Sequence, residues 1–246
     1  MEAELKDSEL FKKIMETVGS LMADVSIDFT PEGMSIKAMD PANIAMILFE
    51  SGKDMFDTFK VDKDTKLSVS LDDLNGILRL VKKGDKVKIN DNGSKMNLDI
   101  NGKTKMHFGI PLIDENYTTQ KVPQLKFTAE VTILSSVVKD AIKAGFLVDD
   151  SLYLTVDNQR FILSSRSEEK EFSEDLYIND SKELFNINSE GLTRSKYSIE
   201  YLTKFVNALD PEKPLKMSFS NNYPLRLDYD FDATTKLSFV LANRIE

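Results

Sequence analysis

Cysteine and tryptophan are missing from this chain, and histidine occurs once, at His107. Without cysteine there can be no disulfide framework, no thiol nucleophile and no cysteine metal site. A cysteine-free chain suits a reducing compartment. The lone histidine alternates with Met106 and Phe108, which predicts a strand residue with no nucleophile or ligand beside it. No apolar run approaches the roughly 18 to 20 residues that cross a bilayer, so no membrane partner is expected. The first residues, MEAELKDSEL, lack the basic start and apolar core of a secretory signal, and a cytoplasmic location is the expectation. A glycine-rich phosphate loop is also missing. Asp228, Asp230 and Asp232 have the spacing of a calcium loop, but Ala233 stands where glycine is needed and Phe239 where a bidentate glutamate belongs. Asp62 and Asp64 fail sooner, at Lys66 and Leu67. Paired carboxylates are plentiful, as in any acidic chain, and carry no specificity. The reading is no metal, no cofactor and no enzyme.

Charge and apolar content are abundant. Of 246 residues, 41% are hydrophobic and 30% charged, which predicts a globular chain with a real core. There are 41 acidic residues against 32 basic ones, a formal net charge of −9. Such a balance repels phosphates and argues against nucleic acid, provided the charges are evenly spread.

The most informative feature is an internal duplication. VSIDFTPEGMSI (25–36) shifted by 127 falls on LYLTVDNQRFIL (152–163), with apolar residue meeting apolar residue at five places. VSLDDLNGIL (69–78) falls on YSIEYLTKFV (197–206), KMNLDI (95–100) on PLRLDY (224–229), and KMHFGIP (105–111) on KLSFVLA (236–242). The order of the matches is kept along the whole chain. Two similar domains are expected, 1–111 and 126–246, with a proline-bounded connector over 112–125.

Each half carries two helix candidates: 8–22 and 70–83, then 135–148 and 198–209. The remaining periodic stretches alternate with period two. The fold class expected is α+β, each half an antiparallel sheet structure with two short helices packed on it. Lysines occupy the outward positions of these helices: Lys12 and Lys13, Lys139 and Lys143, and Lys204, with Lys196 just before the last. In LRLVKKGDK (78–86), Arg79, Lys82 and Lys83 read either as cations offsetting a helix dipole or as the edge of a basic surface. Acids gather in turns and strands, so a basic helical face on an acidic protein is the expectation.

Four stretches together resemble the archaeal and eukaryotic DNA polymerase sliding clamp family, that of proliferating cell nuclear antigen. They are FTPEGMSIKAMDPANIAMILF (29–49), PLIDENYTTQKVPQLKF (111–127), LKMSFSNNYPLRLDY (215–229) and LSFVLANRIE (237–246). The last resembles archaeal chain ends. The resemblance spans essentially the whole chain. It implies a trimeric ring that encircles double-stranded DNA without reading sequence and serves as a processivity factor. The partners it implies are a replicative DNA polymerase, the clamp loader (replication factor C), flap endonuclease, DNA ligase and further copies of this chain. The nine cations just named would then face DNA. A partner peptide with a glutamine, an aliphatic residue and two aromatics would sit on Met39, Ile44, Met46, Leu112, Tyr117, Leu125, Pro224, Phe239, Leu241, Ala242 and Ile245. Subunits would join through edge strands, Lys95, Met96, Leu98 and Ile100 on one side and Phe172, Leu176 and Ile178 on the other. Lys82 or Lys83 paired with Asp140 of a neighbour is a third reading of the stretch LRLVKKGDK. Asn243 departs from the family's usual proline, so a looser chain end is expected. A subunit of a heterotrimeric clamp and a protein-interaction scaffold remain the alternatives.

Overall fold

The computed structural model describes residues 1–114, 122–157 and 159–245. Two compact units divide the chain. The first comprises Met1–Asn43, Ile47–Lys121 and Asp230–Leu237, the second Ile44–Met46, Val122–Tyr229 and Ser238–Glu246.

The first half of the chain forms β1 (Glu2–Leu5), α1 (Ser8–Gly19), β2 (Asp24–Thr30), β3 (Gly33–Met39), β4 (Ala45–Gly52), β5 (Phe56–Lys60), β6 (Thr65–Ser70), α2 (Leu71–Leu78), β7 (Lys86–Asp91), β8 (Lys95–Asn101) and β9 (Lys105–Pro111). The second half repeats the series as β10 (Ala129–Leu134), α3 (Ser135–Phe146), β11 (Ser151–Val156), β12 (Arg160–Arg166), β13 (Glu171–Tyr177), β14 (Leu184–Ser189), β15 (Thr193–Ser198), α4 (Ile199–Val206), β16 (Pro214–Phe219), β17 (Leu225–Asp230) and β18 (Thr235–Leu241). One turn of 3-10 helix, Lys53–Met55, interrupts the correspondence. Sheet order agrees too. β5-β1-β7-β8-β9 matches β14-β10-β16-β17-β18, and β4-β3-β2-β6 matches β13-β12-β11-β15. In the strand order β18 is followed by β4. Each unit holds its own part of that seam. Gly52 N donates to Thr234 O at 3.1 Å in the first unit, and Ala242 N to Ile44 O at 2.8 Å in the second.

Local chemistry explains the elements. Asp7 caps α1 by accepting from Leu10 N at 3.0 Å, and Phe11, Ile14, Met15 and Val18 make its buried stripe. Along β2, Val25, Ile27 and Phe29 turn inward between half-exposed residues, as a period of two requires. The turn into β3 needs Gly33, because a Cβ there would lie 1.9 Å from Ser51 O. In the second unit Phe205 of α4 stacks on Phe239 of β18, with ring centroids 4.5 Å apart and planes at 13°. Full burial of such a ring stabilises by about 1.5–3 kcal/mol.

Two expectations fail here. The helix expected over 70–83 stops at Leu78. Val81 is buried, and Asp85 folds the chain back: its carboxylate accepts from Lys82 N at 3.0 Å, and its own N donates to Lys82 O at 2.9 Å. Gly84 closes this turn at φ 90°. The second concerns edges. β8 is paired on both sides, with β7 and β9, and Met96, Leu98 and Ile100 are fully buried. β8 therefore offers no edge for strand addition; β9 does. β13, carrying Phe172 and Leu176, is an edge as expected.

Candidate functional site

The cations expected on one helical face fall into three groups. Lys13 on α1, Lys143 on α3 and Arg79 directly after α2 are exposed, and Lys12 is half-exposed. Lys143 is within 2.9 Å of Asp140 one turn earlier. Two further helix lysines are engaged and less exposed. Lys139 Nζ donates to Leu209 O at 2.6 Å, and Lys204 Nζ donates to Glu200 at 2.8 Å while lying 5.1 Å from the Tyr201 ring centre. The third group leaves the helices. Lys82 and Lys83 sit in the turn after α2. Lys196 belongs to β15, opposite Tyr153 of β11, on the sheet face away from Leu152, which packs under α3. It is not a helix-face residue.

The segregation of charge is also less than expected. The four helices carry five lysines and six carboxylates, a net charge of −1. Four of those acids, Glu9, Asp72, Asp73 and Glu200, lie in first turns. There they offset the positive end of the helix dipole, and the lysines lie further along. On α1 and α4 an acid leads and lysine follows, but α2 carries no lysine and Asp140 of α3 lies between Lys139 and Lys143; the helices as a set are not basic.

The residues expected at a peptide site divide between the units. In the second unit the seam brings Ile44 and Ala242 into direct hydrogen bonding. Ile44, 39% exposed, directly precedes β4, on which Met46 is buried. On β18 the alternation puts Leu237, Phe239 and Leu241 on the core side, where Phe239 stacks on Phe205. Phe239 and Leu241 are therefore core residues. The opposite face presents Ser238, Val240 and then Ala242. Val240, which was not among the expected residues, is itself buried at 8% exposure. Phe127 packs edge-on against Tyr223 at 6.0 Å, which brings the chain just after Leu125 beside the turn holding Pro224. Ile245 is 90% exposed. Met39 and Leu112, both half-exposed, belong to the first unit. There Met39, Asp40 and Pro41 border a cavity of about 440 Å³ walled also by Asp24, Lys37 and Glu50. Tyr117 lies outside the described residues. Just after Asn243, Arg244 N donates to Lys196 O at 2.8 Å.

The two open edges differ in charge. β9 exposes Lys105 and His107, the latter 2.7 Å from Asp99, and half-exposes Met106 and Phe108. β13 exposes Glu171, Asp175 and Tyr177. Ile178, just past β13, stays half-exposed while its N donates to Gln159 O. On the same strand Glu174 is partly buried, and that burial, with Asp140 nearby, raises its pKa above the ordinary glutamate value. Near β13, the end of α3 leaves Phe146 and Leu147 at 71% and 73% exposure.

Two units of one topology, each made of antiparallel sheets backed by a helix pair, define a duplicated clamp-type fold. The crystal structure of proliferating cell nuclear antigen from Thermococcus kodakaraensis superposes with a TM-score of 0.93 at 22% identity, over 99% of both chains. A structure of A. fulgidus proliferating cell nuclear antigen with the C-terminal region of FEN-1 gives 0.90 at 24%, over 100% of this chain and 98% of that one. In sequence, residues 1–113 match the family described as proliferating cell nuclear antigen, N-terminal domain. The DNA polymerase sliding clamp of Thermococcus gammatolerans is 30% identical over 237 residues, covering 96% of this chain and 95% of that protein. The chain belongs to the DNA polymerase sliding clamp family.

Proposed function

We propose that this chain acts as a sliding clamp: copies join head to tail into a closed trimeric ring around duplex DNA and tether DNA polymerase to its template. The observation that carries the ring is the equivalence of the two units. β9 corresponds to β18, and β4 corresponds to β13. Within the chain β18 is followed by β4; β9 and β13 are open edges. The same pairing between β9 of one copy and β13 of the next satisfies both edges and removes a hazard that proteins otherwise manage explicitly. Charge supports the match, Lys105 and His107 against Glu171 and Asp175. Glu174, whose pKa is raised by burial and then by nearby Asp140, would gain from a cation such as Lys82 or Lys83 of a neighbour. Phe146, Leu147 and Leu80 would lose their contact with water.

A closed ring holds DNA by topology, so strong binding is not required. A few exposed cations on the helices suffice for that role. Lys13, Lys143, Arg79 and Lys12 make loose phosphate contacts that read no bases and need not be broken one by one as the ring moves. No catalytic step belongs to this function. The patch of Ile44, Val240, Ala242 and Ile245 receives the glutamine–aliphatic–diaromatic peptide of partners. Named relatives extend the partner set to DNA polymerase and flap endonuclease; family membership extends it to the clamp loader and DNA ligase. The ring works in the cytoplasm with the chromosome. The deciding measurement is mass in solution by light scattering, followed by loading on nicked circular DNA. A species near three times 27.9 kDa that is retained on circles and released when they are linearised supports the reading. A chain that stays monomeric at micromolar concentration points to a heterotrimer subunit instead.

A further inference from the structure

The last described residues are held more firmly than an exposed tail requires. Arg244 is bonded at three points. Its N donates to Lys196 O at 2.8 Å, and its guanidinium donates to Ser151 Oγ at 2.8 Å and to the Asp150 carboxylate. The anchor is itself rigid. Asp150 O accepts from Ile199 N, the first residue of α4, at 2.9 Å, and Ser151 opens β11. The guanidinium, and after it the Ser151 hydroxyl, holds the Asp150 carboxyl below the usual carboxylate range. Two residues before Arg244, Ala242 N is fixed to Ile44 O at 2.8 Å. The tripeptide Ala242-Asn243-Arg244 is thus tied at both ends, and Asn243 in its middle is free of the φ restriction that a proline would impose.

We propose that Arg244 is a positioning residue for partner binding: its clamp on β11 and β15 fixes the tail so that Ala242 and Ile245 are presented beside Ile44 to the partner peptide. The inference rests on the docking reading above. It assigns to a side chain the work that a proline after the final alanine does by stiffening the backbone. An exposed ion pair alone contributes little to fold stability, so the clamp acts on where the tail lies. A partner that must first order a loose tail binds more weakly by the entropy of ordering it.

The test measures a synthetic glutamine–aliphatic–diaromatic peptide by fluorescence anisotropy against the full chain. Arg244→Ala should weaken binding about tenfold, the cost of ordering roughly one residue's backbone, with thermal midpoint and oligomeric mass unchanged. Arg244→Lys, which keeps the charge but not the fork, should fall between. Asn243→Pro added to Arg244→Ala should restore most of the affinity. Asp150→Asn should repeat the loss from the other side of the clamp. Parental affinity in Arg244→Ala, or a loss that Asn243→Pro does not restore, would overturn the proposal while leaving the docking site in place. A parent chain that binds no such peptide overturns the docking reading and the positioning role with it.

Discussion

β9 and β18 are the same strand twice. They occupy the last position of equivalent sheets, and Phe108 of one corresponds to Phe239 of the other. Yet Phe239 is buried and stacked on Phe205, while Phe108 is half-exposed. The difference lies in the next strand of the sheet. β18 has β4 beside it, and among the described residues no further strand lies beyond β9. Their sequences register this: KLSFVLA brings buried Val240 to its second face, where KMHFGIP has exposed Gly109. One strand position can thus be sheet interior or sheet edge, depending on a partner that the local sequence does not contain. An apparent edge in a duplicated protein is best judged against its covered twin.

Five changes would break or sharpen this comparison. The largest effect is expected at the edges. Phe108→Asp in β9 or Tyr177→Asp in β13 should reduce the mass from about three chains to one, 27.9 kDa, with an unchanged circular dichroism spectrum; a trimer in both variants would refute the pairing. Next come the twin phenylalanines. Phe239→Ala should destabilise the chain by about 3–5 kcal/mol in urea titration, as loss of a buried ring does. Phe108→Ala should cost far less in the protomer and act mainly on assembly; equal losses would mean that β9 is covered within its own chain. Third, the seam itself can be probed. Ile44→Arg should abolish peptide binding at micromolar concentrations without changing mass, because it places a charge where an apolar anchor belongs. Fourth, combined Lys12→Glu, Lys13→Glu and Lys143→Glu should remove polymerase processivity while sparing peptide binding; full processivity would exclude these helix faces from DNA contact. The smallest effect concerns helix starts. Asp7 caps α1 by a side-chain bond, whereas Leu134 at the equivalent start of α3 makes none. Asp7→Ala should therefore lower stability by about 1 kcal/mol, and Leu134→Ala should not act through capping.

The duplication was legible in the residues read in order because apolar alternation survives divergence: Val25, Ile27 and Phe29 on one side and Leu152, Leu154 and Val156 on the other all turn inward. Helix starts were legible because a capping residue type stands at each of the first two: Asp7 accepts from Leu10 N and Ser70 Oγ from Asp73 N. Helix ends were less so. LRLVKK reads as a last turn, but Val81 enters the core and Asp85 captures Lys82, a contact three residues away that competes with the helix bond. Of the residues expected at a docking face, Phe239 turns to the core side of β18, a side set by the two-residue period counted from the seam.

Local order along the chain, and the two-fold repetition of it, were determined by the sequence itself, since propensity, capping and periodicity act over a few residues. Family membership was legible for the same reason, being carried by contiguous stretches. Which strand is an edge, which lysine is already engaged and which face of β18 meets solvent were decided only by tertiary structure. Each depends on a partner far away in sequence: β4 for β18, Leu209 for Lys139, Phe205 for Phe239, and Asp150 for Arg244. Such pairings form because burial and hydrogen bonding are satisfied globally, and no window of local sequence contains both members.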